Sequence, residues 1–128
     1  MGGVKTFEDF DVWKASRLLV KEIYTETNKP IWSKDFGLKD QVRRAVVSVL
    51  SNIAEGSERE SKKEFARFIA IAKGSAVEVR AHLYIALDLG YFDQQTVDNL
   101  SAQAREIGRM LGGFHKYLIA DGSANSRK

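Results

Sequence analysis

The chain has 128 residues, 44% of them hydrophobic and 29% charged, with a net charge of +3. That length supports one domain around one core, and the absence of cysteine excludes disulfides, thiolate metal sites and cysteine nucleophiles. No apolar run approaches the ~20 residues of a membrane span and no signal-peptide pattern opens the chain, so a cytoplasmic location is expected.

The spacing predicts a first helix from about Asp9 to about Thr27, with Phe10, Trp13, Val20 and Ile23 or Tyr24 facing inward. Asn28-Lys29-Pro30 ends it, because proline disfavours helix in the residue before it. A loop then carries Trp32 and Phe36 as anchors onto the core.

A second helix is predicted from about Leu38. Leu38, Val42, Ala45, Val46, Val49 and Ile53 recur at steps of three and four, and Gly56 closes the segment in a left-handed conformation. Ser61-Lys62-Lys63-Glu64 reads as a capping box opening a third helix. Its inward face is Phe65, Phe68, Ala72, Ser75, Val79, Leu83 and Ala86, bulky at the ends and small in the middle. Gly74 lies mid-helix, where a packed neighbour would justify it, and Gly90 is the stop.

Asp93 is an N-cap for a fourth helix, whose seam is Val97, Leu100, Ala104, Ile107, Leu111, Phe114 and Leu118. Short connections make consecutive helices antiparallel. The expected fold is all-α, an up-down-up-down four-helix bundle over residues 9–119. An N-terminal extension (1–8) precedes it and a disordered tail (120–128) follows.

The polar residues hold no catalytic set. His82 and His115 lack the paired Glu-x-x-His pattern of a bundle metal site, and no strand–turn–helix serine motif is present. A non-enzymatic protein without metal or cofactor is expected, with His82 as a structural histidine at the edge of the apolar stripe.

Cations are the stronger signal. Lys62, Lys73 and Arg80 fall within about 20° of one another on the third helix. Arg67, Arg43, Arg105, Arg109 and Lys116 supplement them. Such a row would track phosphates; the competing explanation is a solvated face with interspersed glutamates. No aromatic is interleaved, so contact to backbone rather than bases is expected.

On the second helix, Arg44, Ser48, Ser51 and Glu55 share a polar face away from the valines, with Gln41 and Asn52 at its edge. Three explanations stand: a subunit interface, a buried hydrogen-bond cluster, or ordinary polar surface.

Phe7-Glu8-Asp9-Phe10-Asp11-Val12-Trp13-Lys14-Ala15 resembles the opening of a family of small bacterial four-helix-bundle proteins encoded in intervening sequences of 23S rRNA genes. The resemblance continues through Leu38-x-x-Gln41-x-Arg43-Arg44-Ala45 and Ser48-x-x-x-Asn52-Ile53-Ala54-Glu55-Gly56. It extends to Glu64-Phe65-x-x-Phe68-Ile69-x-Ile71-Ala72-x-Gly74-Ser75-x-x-Glu78 and Ala86-x-x-Leu89-Gly90-Tyr91. It implies a left-handed bundle and a homo-oligomer, a pentameric ring. It also implies kinship with the accessory protein of diversity-generating retroelements, which looks like a basic pentamer that binds nucleic acid and a reverse transcriptase. The expected function is oligomeric binding of structured RNA through phosphates, with DNA as another substrate. The alternative is a protein–protein adaptor that docks a partner such as a reverse transcriptase. No membrane partner is expected.

Overall fold

Hydrogen bonds made by single side chains and by the turns set the ends of each helix. The computed structural model describes residues 6–126, with side chains as far as Asp121. Four α-helices follow in order: α1 Asp11–Thr27, α2 Phe36–Ser57, α3 Lys62–Asp88 and α4 Gln94–Ser126. Short 3-10 turns occupy Phe7–Asp9 and Pro30–Lys34.

The Asp35 carboxylate accepts from the Leu38 N–H at 3.0 Å and opens α2. The Ser61 hydroxyl accepts from the Glu64 N–H at 3.0 Å and opens α3. Asp93 does the same for Thr96 at 2.8 Å, and that bond holds its carboxyl below the usual range. Each satisfies a backbone donor that the first turn leaves free. Gly90 stops α3 with φ 77°, while the Tyr91 N–H reaches back to the Ala86 carbonyl at 2.9 Å.

Side-chain contacts show the directions of the helices. Ser48 meets Ser75 and Gly56 meets Phe68, so α2 and α3 run antiparallel. Lys73 over Gly112 and Lys62 against Asp121 make α3 and α4 antiparallel. Phe10 against Phe114 and Glu22 against Gln103 do so for α1 and α4. The up-down-up-down all-α four-helix bundle is therefore the observed fold.

Its core is the apolar stripe of each helix. Val42, Val46, Val49 and Ile53 of α2 and Leu100, Ile107 and Leu111 of α4 are all buried. Phe10 stacks on Phe65 and both meet Phe114 edge to face at one end; Trp32, Tyr91 and Phe92 pack at the other. Between these aromatic ends, buried Ala45, Ala72, Ala76 and Ala104 let the helices approach closely.

Five local expectations are corrected. The buried stripe of α1 is Val12, Ser16, Leu19, Ile23 and Thr27, with Trp13 and Val20 half-buried and Tyr24 exposed. Ser16 and Thr27 are admitted because each hydroxyl donates to its own helix four residues back, at 2.7 Å. Phe36 is 77% exposed rather than an anchor, whereas Trp32 is buried as expected.

Gly56 does not take a left-handed conformation. It lies inside α2, where a Cβ would fall 2.7 Å from the Phe68 Cβ. The neighbour expected over Gly74 is absent: a Cβ there meets nothing within 4 Å. The Glu64 carboxylate, expected to complete the capping box, instead accepts from Arg67 at 3.1 Å.

The termini differ from a bundle ending at 119, since α4 continues to Ser126. Residues 1–5 of the expected extension, and Arg127 and Lys128 of the expected tail, lie outside the described residues.

Candidate nucleic-acid interface

Antiparallel packing of α3 on α4 brings two separate rows of cations to one groove. Lys73 lies across from Gly112, and continuing that register places Arg80 opposite Arg105. The resulting groove encloses about 790 Å³ and is lined by Lys73 and Arg80 on one wall and Arg105, Arg109 and Lys116 on the other. Ala70, Gly74, Ala104, Gly108, Gly112 and Gly113 supply much of the remaining lining, and His115 adds an imidazole.

No carboxylate among the described residues lines the groove. Among the described residues, Lys73, Arg80, Arg105 and Lys116 form no ion pair. Arg109 is the exception. It donates to Glu106 at 2.9 Å, and that bond raises the arginine pKa and lowers that of the glutamate. The Arg80 Nε is buried and finds no acceptor among the described residues. Gathering like charges without counter-ions is unfavourable, and an anionic ligand relieves it.

A family model described as "23S rRNA-intervening sequence protein" matches residues 8–113. The chain belongs to that family. A solved structure from Bacteroides thetaiotaomicron, a protein of unknown function from the S23 ribosomal protein family, shares the fold with a TM-score of 0.75. It is 22% identical, and the alignment covers 82% of this chain and 98% of that one. No curated protein matches.

In this member of the 23S rRNA-intervening sequence protein family, the predicted cations divide three ways. Lys73, Arg80, Arg105 and Arg109 converge in the groove. Lys62 and Arg67 do not join them: Lys62 pairs with Asp121, and Arg67 pairs with Glu64. Arg43 lies on the α1 side of α2, where its Nε donates to Thr27 at 2.9 Å and its guanidinium stacks over Tyr24 at 4.2 Å. That set of bonds ties α1 to α2.

The polar face of α2 also divides. Ser48 and Ser75 share a hydrogen bond of 2.9 Å, and the Asn52 amide donates to the Ser48 carbonyl at 2.8 Å. They form a part-buried polar cluster between α2 and α3. Ser51 bonds only weakly to its own helix, at 3.5 Å. Arg44 pairs with Asp40 at 2.8 Å and Glu55 with Arg59 at 3.8 Å, on exposed surface.

Composition and cation spacing did not reveal the small-residue floor or the place of His115. The available signal was the number of helix-interior glycines: Gly74 in α3 and Gly108, Gly112 and Gly113 in α4. Each costs roughly 1 kcal/mol relative to alanine in a helix interior. A Cβ at Gly74, Gly108 or Gly113 would meet no atom within 4 Å. Nothing among the described residues requires these three to be glycine, whereas a Cβ at Gly112 would come 3.4 Å from the Lys73 Nζ.

Among the described residues, no group of three or more metal-ligating side chains comes together, and no helix is long and apolar enough to cross a membrane. His82 is 8% exposed, and its Nδ1 lacks a partner.

Proposed function

We propose that this protein is a non-enzymatic nucleic-acid-binding protein that contacts structured RNA through phosphates in the α3–α4 groove. The observation that carries it is the set of unpaired Lys73, Arg80, Arg105 and Lys116 around a groove without a carboxylate. Phosphates supply the missing counter-charge. The family's name refers to intervening sequences of 23S rRNA, which makes a ribosomal RNA fragment the first ligand to try.

Self-association belongs to the same proposal. Ile71, Ile85 and Leu89 are 50%, 44% and 53% exposed and fall on one stripe of α3 by the helical period. The stripe borders the Ser48–Ser75 contact. Covering it with further copies would build a ring, with a pentamer expected, and several weak grooves on one particle multiply avidity. The same stripe favours the second reading, an adaptor that docks a partner enzyme such as a reverse transcriptase there.

The test is binding to a structured ribosomal RNA fragment over a salt series, with wild type and the double variant Lys73→Glu/Arg80→Glu. The proposal expects binding that weakens steeply with salt, as counter-ions are released. It also expects loss of binding in the variant with helicity unchanged. Salt-independent binding, or a variant that binds like wild type, would overturn it.

A further inference from the structure

We propose that the α3–α4 groove is a slot for one nucleic-acid strand, with the sugar-phosphate backbone lying along the glycine floor and the bases turned to solvent. This rests on the phosphate-binding reading above and adds the form of the ligand. Two independent features meet here. Cations stand on both walls, so the groove brackets a ligand from two sides, whereas a basic patch would touch it from one. Three glycines of the floor have no reason to be glycine among the described residues, because a Cβ at Gly74, Gly108 or Gly113 enters open space, whereas one at Gly112 would come 3.4 Å from the Lys73 Nζ. Gly56 is the contrast, since the Phe68 Cβ and the Phe65 ring of α3 leave it no room for a side chain.

The dimensions favour a single strand. The axes of packed helices are about 8–10 Å apart, so the groove is the narrow seam above their contact line, which one backbone can follow and on whose rim a duplex would rest. From Arg105 to Lys116 the groove runs about 16 Å at the helical rise. That length matches about five nucleotides at a stacked spacing of 3.4 Å. No Phe, Tyr or Trp lines the groove, and the His115 imidazole is the one ring among the lining residues on which a base could stack, so stacking does not draw in successive bases. At the Arg80 end, the Nε–H that lacks an acceptor in the protein gains one from a phosphate oxygen after a small rotation of the side chain. A docked acidic helix is disfavoured because its anchors would need apolar pockets, and Val77 is the largest apolar residue in the lining.

The experiment fills the slot and leaves every charge in place. Gly108→Leu and Gly74→Leu, one from each helix of the floor, are compared with wild type and with Lys73→Glu/Arg80→Glu. The readout is fluorescence anisotropy with a labelled ten-nucleotide single-stranded RNA and a ten-base-pair RNA duplex. Circular dichroism confirms that each variant is folded. The expected result is single-strand binding at least tenfold tighter than duplex binding in wild type, and a loss of tenfold or more in both filled variants. If the filled variants bind like wild type while the charge-reversed one does not, the slot is wrong and the phosphate-binding reading survives. Equal or tighter binding of the duplex also overturns the slot. Wild type that binds neither RNA at low salt overturns both.

Discussion

Gly56 and Gly108 are the same residue type in the same kind of structure, a helix interior, yet substitution should move stability in opposite directions. A Cβ at Gly56 would sit 2.7 Å from the Phe68 Cβ and 2.9 Å from the Phe65 ring. The first of these atoms is fixed to the backbone of α3 and cannot swing aside. Overpacking costs about 1–3 kcal/mol, against about 1 kcal/mol gained by removing a helical glycine. Gly56→Ala is expected to lower the midpoint of urea denaturation. Gly108→Ala, with open space around the new methyl group, is expected to raise it by the propensity gain alone. Tyr91 offers a second residue-level prediction. Its hydroxyl donates to Asp35 at 3.0 Å; burial first, and then this bond, raise its pKa above 10.0. A folded-state pKa above the unfolded one stabilises fully below the unfolded value, and that contribution is lost as pH rises through the folded value. Thermal midpoints of wild type should therefore fall more steeply above pH 10 than those of Tyr91→Phe. Parallel curves would show that the bond has no part in stability.

At the level of the element, α3 carries two kinds of information. Its cap at Ser61, its stop at Gly90 and its small central face were all readable, because each depends on a few neighbouring residues or on the helical period. The cation stripe was read only partly correctly. Lys62, Lys73 and Arg80 share a wheel position, but Lys62 stands near the end of α4 and meets Asp121, while the other two face the middle of that helix. The α1 stripe shows the complementary error. Aromatic residues drew the inward face toward Trp13 and Tyr24, yet the helix buries Ser16 and Thr27, whose hydroxyls are satisfied within it. Hydrophobicity alone does not register a polar group that carries its own partner.

For the whole molecule, the exposed stripe of Ile71, Ile85 and Leu89 decides whether several grooves act together. Light scattering of wild type at micromolar concentration is expected to give a multiple of the 14.4 kDa chain mass. Ile71→Glu/Ile85→Glu is expected to give the single-chain mass with unchanged helicity, and with weaker RNA binding through loss of avidity. A wild-type monomer would remove the ring from the proposal and leave the groove untouched.

The sequence by itself determined the four helices, the caps at Ser61 and Asp93, the stop at Gly90, the antiparallel order and most of the core. Apolar periodicity and cap chemistry act over a few residues, and short loops leave no other direction for the chain. Only the tertiary structure decided which cations meet. The register of α3 against α4 brings Lys73 and Arg80 to Arg105, Arg109 and Lys116, and it leaves Arg43 and Lys62 with other partners. It also separates Gly56, which packing requires, from Gly108, which packing does not. Register and helix rotation are set by the sum of many weak core contacts, and no local pattern encodes that sum.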